Sequence, residues 1–169
     1  MKRFSIAFFA LLLSGLSACR QPDVKLQAEV RTVDSLNKVL SSFSQQIELL
    51  PASNINTVLE RARLQINSGY WDNNPAAIQS LHKAEEFLNG LETQLLDISQ
   101  QLKNAQSEAT EFVRSPYNYK VEQSRQVPFV FQLSELTSAL GEQTDYLFSR
   151  YNAQVLLLET LEYDRAKSH

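Results

Sequence analysis

The amino-acid sequence predicts an all-α protein, folded as an elongated antiparallel bundle of long helices. Glycine is scarce, because only Gly69, Gly90 and Gly141 remain after the first 18 residues. Leu, Gln, Glu and Ala are abundant, and all four are good helix formers. Apolar residues also recur in alternating steps of three and four over long segments, which is the spacing of one helix face. Together these observations predict long helices and no sheet.

The first predicted helix runs from about residue 24 to residue 50. Its apolar positions form a heptad seam, as in a coiled coil. The positions of this seam are Val33, Leu36, Leu40, Phe43, Ile47 and Leu50. Pro51 ends the helix, because a residue that precedes proline avoids the α conformation. A second helix follows at once, with Ser53 or Asn54 as its expected cap. Its predicted apolar face consists of Ile55, Leu59, Ala62 and Ile66.

A turn precedes the third predicted helix. Residues 67–75 read NSGYWDNNP, a cluster of turn-forming residues before a proline. Asn74 is the expected N-cap and Pro75 suits the first helical turn. The helix then runs to about Val113, with the most regular seam in the sequence. This seam consists of Ala77, Leu81, Ala84, Leu88, Leu91, Leu95, Ile98, Leu102, Ala105, Ala109 and Phe112.

Residues 115–127 are predicted to form a loop, and a fourth helix is expected from about Pro128 to about Lys167. Its predicted seam consists of Leu133, Leu136, Leu140, Gln143, Leu147, Tyr151, Gln154, Leu158 and Leu161. The step to Tyr151 repeats a step of four, which is a stutter that relaxes left-handed supercoiling. Two glutamines in this seam predict looser or wetter packing than in the third helix.

The lengths of these helices suggest how they pack. The third and fourth helices have about 39 residues each, or roughly 58 Å. The first two helices, laid end to end, nearly match that length. We therefore expect three long rods packed antiparallel, with the first rod broken at Pro51. A four-helix up-down bundle is the alternative.

The N-terminus has the pattern of a secretory signal peptide. Lys2 and Arg3 give a positive start, and the apolar run IAFFALLL follows at residues 6–13. This run is too short to span a bilayer as a helix. Small residues then lead to Cys19, the only cysteine of the chain. A lone cysteine cannot belong to a disulfide framework within the chain.

Leu16-Ser17-Ala18-Cys19 resembles the lipobox of bacterial lipoproteins. The resemblance implies cleavage after residue 18 and lipid on Cys19, with fatty acyl chains such as palmitate. It divides the chain into a signal peptide at 1–18, an anchor and short tether at 19–23, and one helical domain at 24–169. Several acyl chains bind a bilayer much more firmly than one.

The residue after the lipidated cysteine bears on sorting in Gram-negative lipoproteins, where Asp favours retention in the inner membrane. Arg20 occupies that position here. By resemblance, we expect a location in the cell envelope at the outer membrane, facing the periplasm. An orientation toward the cell surface stays open.

Charge and motifs argue against several function classes. Without Lys2 and Arg3, the 16 basic residues fall to 14 against 19 acidic ones, a formal net charge of −5. Such a chain offers no evident basic face for nucleic acid. It has no nucleophile elbow, phosphate-binding loop or His-Glu-x-x-His signature. His82 and Glu86 share a helix face, which we interpret as a solvated pair. We predict no enzymatic activity, no metal and no cofactor.

Two loops carry candidate interaction residues. Tyr70 and Trp71 lie in the turn before the third helix. They are either exposed anchors for a partner, since Tyr and Trp are enriched in interface hot spots, or a plug at the end of the bundle. The second candidate is a basic and aromatic cluster that would contact anionic headgroups, glycan or an acidic partner. Its members are Arg114, Tyr117, Tyr119, Lys120 and Arg125.

These observations support two hypotheses of different classes. The first is a lipid-anchored, non-enzymatic scaffold or accessory subunit that acts through contacts with a protein partner. The second is a bundle that binds a small apolar or amphipathic molecule near Gln143 and Gln154, where the predicted seam loosens. An internal cavity of ligand size beside Gln143 would favour the second hypothesis, and a solid core the first.

Overall fold

The computed structural model describes residues 24–116 and 128–167. These residues form helices and no strand, so the predicted all-α helical bundle is confirmed. The helices are α1 (Val24–Glu48), α2 (Ala52–Asn67), α3 (Pro75–Arg114) and α4 (Phe129–Lys167). Each helix begins and ends within two residues of the position predicted for it. The starts of α2, α3 and α4 lie at or directly after Pro51, Pro75 and Pro128, as expected.

Helices α1 and α2 pack one after the other against α3. In α1, Ser44 accepts a hydrogen bond from Gln106 Nε2 at 3.1 Å. In α2, Arg63 Nε donates to Glu85 Oε1 at 3.1 Å. From Ser44 to Arg63 the chain moves forward, while the partner on α3 moves back from Gln106 to Glu85. Helices α1 and α2 therefore run antiparallel to α3. Because α1 and α2 do not pack side by side, they form one rod interrupted at Pro51.

Helix α4 completes the bundle by packing against both rods. The rings of Phe112 and Phe129 stack with centroids 5.0 Å apart, so the end of α3 meets the start of α4. Arg61 in α2 pairs with Glu162 near the end of α4. Helix α4 is therefore antiparallel to α3 and parallel to the first rod. These contacts are those of the three-rod arrangement, since an up-down four-helix bundle would pack α1 beside α2.

The bundle thus has two ends, which we name by what each contains. The connection end holds the start of α1, the end of α3 and the start of α4. The turn end holds the end of α2, the start of α3 and the end of α4, together with the turn at residues 67–74. Contacts between the helices link these two ends through one apolar core.

The seam predicted for α3 is confirmed at every position. All eleven of its residues are buried, from Ala77 to Phe112. In the first rod, the buried positions include Val33 and Leu40 of α1 and Ile55 and Leu59 of α2, as predicted. The other predicted positions of the first rod are buried or partly buried against the same core.

The seam of α4 differs from its prediction. Leu136 is 37 % exposed and Gln143 is exposed, although both were predicted to face the core. Thr137 and Thr144 take their places in the core. From Leu133 to Leu161 the observed seam alternates steps of four and three, so the stutter predicted at Tyr151 is wrong. Over that range the seam consists of Leu133, Thr137, Leu140, Thr144, Leu147, Tyr151, Gln154, Leu158 and Leu161.

Both buried threonines satisfy their hydroxyl groups within the helix. Thr137 Oγ1 donates to the Leu133 carbonyl oxygen at 2.6 Å, and Thr144 Oγ1 donates to the Leu140 carbonyl oxygen at 2.7 Å. A hydroxyl that is hydrogen-bonded in this way can be buried at little cost, and its side chain then packs as a small apolar group. The prediction chose the apolar Leu136 over Thr137 and therefore placed this part of the seam on the wrong face.

A close approach between α4 and α1 accompanies the threonines. Gly141 is buried, and a Cβ atom added to it would lie 2.7 Å from Cζ of Phe43. The Phe43 ring therefore occupies space that any larger residue at position 141 would take. This contact explains why a helix as long as α4 carries a glycine near its middle, despite the helix propensity that glycine costs.

The helix ends agree with the predictions in one case and differ in another. The side-chain oxygen of Asn74 accepts a hydrogen bond from the Ala77 backbone N–H at 3.1 Å, which confirms it as the N-cap of α3. Neither Ser53 nor Asn54 caps α2, because that helix begins ahead of both. Pro51 occupies the cap position in an extended conformation and offers no side-chain hydrogen bond.

Candidate interaction surfaces

Trp71 lies in the core at the turn end. Its side chain is 7 % exposed, and its indole Nε1 donates to Gln65 Oε1 at 3.1 Å. The amide of Gln65, itself buried, thus satisfies the only polar atom of the indole ring. Trp71 was interpreted either as an exposed anchor or as a plug at the end of the bundle, and its burial agrees with the plug. It leaves too little of this side chain exposed to serve as an anchor for a partner.

Tyr70 is partly buried beside the tryptophan. Its ring meets the Trp71 ring edge to face, with centroids 4.7 Å apart. The guanidinium carbon of Arg165 lies 5.5 Å from the Tyr70 ring centroid. Gly69 permits this turn through a backbone φ of 67°, which side chains disfavour. Tyr70 therefore joins the turn to the end of α4 and keeps only part of its surface for a partner.

Charged contacts tie α2 to both of its neighbours at the turn end. The guanidinium of Arg61 donates two hydrogen bonds to the Glu162 carboxylate, at 3.0 and 2.7 Å. This hydrogen bonding raises the pKa of Arg61. Arg63 donates to Glu85 on α3 at 3.1 Å and to Glu60 on its own helix at 2.8 Å. Such bidentate and branched pairs fix geometry as well as adding energy.

The second predicted cluster is only partly described. Arg114 is exposed at the end of α3, where it lines a shallow polar depression with Lys103 and Glu111. The other members, Tyr117, Tyr119, Lys120 and Arg125, lie outside the described residues, as does Cys19. Their assigned roles stay predictions. Arg114 itself lies at the connection end.

His82 faces solvent on α3, with its side chain 58 % exposed. Its nearest carboxylate is Glu85, whose Oε2 lies 3.8 Å from His82 Nδ1, rather than the predicted partner Glu86. Within residues 24–116 and 128–167, no three His, Cys, Asp or Glu side chains gather as a metal-binding group. The histidine also borders an open depression with Ile66 and Ile78 between α2 and α3.

A small cleft lies between α3 and α4 beside Gln143. It has a volume of about 160 Å³. Its lining consists of Gln94, Asp97, Ile98, Gln143, Tyr146 and Leu147. Pockets for small molecules usually measure about 300–1,000 Å³. The cleft is thus smaller than the ligand cavity that the second hypothesis requires, although it lies where that hypothesis places it.

A group of two exposed side chains and one partly buried ring borders this cleft, and sequence reasoning did not find it. The guanidinium carbon of Arg150 lies 5.2 Å from the ring centroid of Phe87 and 6.0 Å from that of Tyr146. We name these three residues the Arg150 cluster. Tyr146 is 58 % exposed. The sequence offered one signal for this group: Tyr146 lies one helical turn before Arg150 on α4, and both lie outside the core seam.

Comparisons with known proteins add no relative. Neither the family models, nor the curated proteins, nor the solved structures contain a match to this chain. None of the helices in the described ranges combines the length and apolar character needed to cross a membrane.

Proposed function

We propose that the chain is a lipid-anchored protein of the cell envelope, at the outer membrane, that acts as a scaffold or accessory subunit through contacts with a protein partner. One observation carries the proposal: α1 begins at Val24, five residues after Cys19, and starts the rod at the connection end. Lipid on Cys19 would therefore hold the bundle by one end.

The dimensions of the bundle give this attachment a consequence. The four residues between Cys19 and Val24 reach at most about 14 Å when extended. Helix α3 has 40 residues and is about 60 Å long. A bundle attached in this way would carry the turn at residues 67–74 several nanometres from the bilayer. Its long helical sides would be open to a partner over that distance.

The connection end also carries the predicted basic and aromatic cluster. Arg114 lies at that end, and residues 115–127 lead from it to α4. With lipid on Cys19, this segment is expected to face the headgroups, where each basic side chain contributes about 1 kcal/mol. That energy is small beside a multiply acylated anchor. The cluster would therefore orient the bundle rather than attach it.

Membrane attachment is tested by replacing the cysteine. In Cys19→Ser, processing should stop or the protein should leave the membrane fraction after a high-salt wash. Ser17→Ala is the matched control, since it keeps a small residue in the lipobox, and it should remain membrane-bound. Attachment of a processed Cys19→Ser protein at high salt would show a different anchor and would contradict the proposal.

Orientation is tested with spin labels in reconstituted vesicles. Thiol labels at Arg114→Cys and Asn73→Cys mark the connection end and the turn end at exposed positions. Lipid on Cys19 leaves the introduced thiol as the only one, because the chain has no other cysteine. A relaxation agent in the shallow lipid region should reach position 114 and miss position 73. The reverse pattern would contradict the proposed attachment.

A further inference from the structure

Arg150 differs from the two arginines that hold α2 in place. Arg61 and Arg63 donate to carboxylates across helix interfaces. Arg150 instead lies over the rings of Phe87 and Tyr146, and no acceptor within the described residues is hydrogen-bonded to it. A guanidinium over aromatic faces keeps its N–H donors for other groups and is partly ordered by the rings. This arrangement suits an incoming carboxylate, which a guanidinium can bind through two hydrogen bonds.

The cleft beside Arg150 supplies an apolar contact. Tyr146 belongs both to the Arg150 cluster and to the lining of the cleft. Two buried side chains, Ile98 and Leu147, form the apolar part of that lining. Its volume of about 160 Å³ matches one side chain, since a cavity of about 150 Å³ can hold a benzene molecule.

Neighbouring charges set the direction in which a ligand would lie. Asp97 lines the cleft, and its carboxylate accepts a hydrogen bond from Gln101 at 2.9 Å. This negative charge disfavours an acidic group inside the cleft. Lys83 lies one turn before Phe87 on the same face of α3 and is exposed. Lys83 and Arg150 thus supply positive charge on the Phe87 side, where the exposed Glu86 also lies, and Asp97 supplies negative charge at the cleft.

We propose that the Arg150 cluster and the adjoining cleft form a docking site for an acidic segment of a partner protein. The segment carries a carboxylate for Arg150 and, about one helical turn away, an apolar side chain for the cleft. Residues three or four apart on a helix have Cβ atoms about 5–6 Å apart, which fits the spacing of Arg150 and Tyr146 on α4. Tyr and Arg are also frequent in interface hot spots.

This inference names the partner chemistry of the proposed scaffold, but it does not depend on lipid at Cys19. The experiments on Cys19 and on orientation test the attachment alone. The experiments can therefore show membrane attachment without binding at the Arg150 cluster, or binding at the Arg150 cluster without membrane attachment.

The site is first tested with 3-phenylpropionate, which carries one ring and one carboxylate. Nuclear magnetic resonance of the methyl groups follows its binding to the folded domain. The Ile98 and Leu147 methyl signals should shift, and Arg150→Gln should weaken binding at least tenfold. Arg31→Gln, which replaces an exposed arginine on α1, is the matched control and should leave binding unchanged. The uncharged 3-phenyl-1-propanol should bind at least tenfold more weakly.

Three results would overturn the assignment of the site: no shift of the Ile98 and Leu147 signals, equal binding by Arg150→Gln, or equal binding of the alcohol. Arg150→Gln should retain the melting temperature of the wild type, because its side chain is exposed. If it does not, Arg150→Lys replaces it, since lysine keeps the charge and lacks the planar fork. Weaker binding by that variant supports the site, and equal binding contradicts it.

The class of ligand is tested with a random peptide library displayed on phage and selected on the domain. Peptides with Asp or Glu three or four residues from Leu or Phe should be enriched and should lose binding to Arg150→Gln. Enriched peptides without an acidic residue, or with equal affinity for Arg150→Gln, would contradict the proposal. If 3-phenylpropionate binds and no peptide is enriched, a small amphipathic ligand replaces the protein partner.

Discussion

The two ends of the bundle are joined by different side chains. At the turn end, Arg61 and Arg63 bind carboxylates on α4 and α3. At the connection end, the helices meet through neutral contacts, such as the Phe112 and Phe129 stack and the hydrogen bond from Gln106 to Ser44. The same apolar seam nevertheless runs through both ends, with its leucines almost fully buried throughout α3.

The difference follows from the lengths of the helices. Helix α2 has 16 residues, against 25 in α1 and about 40 in α3 and α4. A helix this short is only marginally stable by itself and depends on its neighbours. Arg61 and Arg63 hold α2 to both neighbours and so fix its position beyond Pro51. Helix α1 is longer, and within the described residues its one salt bridge, from Lys38 to Asp34, lies inside the helix.

The plug at the turn end should give the largest effect. Trp71→Ala is expected to lower the free energy of unfolding by about 3–5 kcal/mol, because it empties a buried aromatic site. Trp71→Phe should cost about 1–3 kcal/mol, since the buried amide of Gln65 loses its donor. Urea unfolding measures both. Tyr163→Ala, an exposed aromatic on α4, is the control and should cost less than 0.5 kcal/mol. Equal losses at Trp71 and Tyr163 would contradict a plug.

The shared seam should respond equally at both ends. Leu88→Ala toward the turn end and Leu102→Ala toward the connection end should each cost about 2–5 kcal/mol, as should Leu95→Ala between them. All three side chains are buried. His82→Ala should cost far less, because His82 is exposed. Thermal or urea unfolding compares the four variants. A small loss at only one of the leucines would show that the core does not extend to that end.

Two glycines provide a matched pair. Gly141→Ala is expected to lower stability by about 1–2 kcal/mol, because its Cβ would meet the Phe43 ring at 2.7 Å and overpacking outweighs the gain in helix propensity. Gly90→Ala meets only the flexible amide of Gln94 at 3.3 Å and should gain up to about 1 kcal/mol. Phe43→Leu should relieve the loss at position 141. A gain for Gly141→Ala in the wild-type background would contradict the close approach.

The ion pair of α2 should give the smallest effect. Arg61→Ala is expected to cost about 1 kcal/mol at low salt, since its pair with Glu162 is bidentate but only partly buried. At 1 M salt the loss should shrink, because dissolved ions screen the pair. Gln106→Ala removes the neutral contact with Ser44 at the connection end and should show a loss of stability that does not depend on salt. A salt dependence of equal size in both variants would contradict the contrast between the ends.

Much of this fold was predictable because helices carry local signals. The seam of α3, the turn before it and the Asn74 cap all depend on spacings of a few residues. The seam of α4 was misassigned because Leu136 is more apolar than Thr137, and the spacing from Leu136 and Leu140 then led to Gln143 instead of Thr144. The hydroxyl bonds to carbonyl oxygens and the Phe43 ring against Gly141 decide that face, and neither is visible in the spacing.

The candidate interaction surfaces were less predictable. Tyr70 and Trp71 were recognised as unusual from their place in a turn, but their burial depends on how three helix ends meet. Phe87 and Arg150 are distant in the sequence, and their contact requires the relative register of α3 and α4. That register results from the packing of the whole bundle, so a single sequence could not place these two residues together.

The break at Pro51 has a consequence for the order of folding. The contact of Arg63 with Glu85 closes a loop of 22 residues, whereas Gln106 reaches Ser44 over 62 residues and Arg61 reaches Glu162 over 101. The stack of Phe112 on Phe129 closes a loop of 17 residues between α3 and α4. Closing short loops costs the least entropy, so α3 is expected to pair first with α2 and α4 and to receive α1 later. Because proline interrupts the helix between α1 and α2, the unwinding of α1 need not continue into α2. Helix α1 can therefore open as a unit of its own, with faster amide hydrogen exchange than α3.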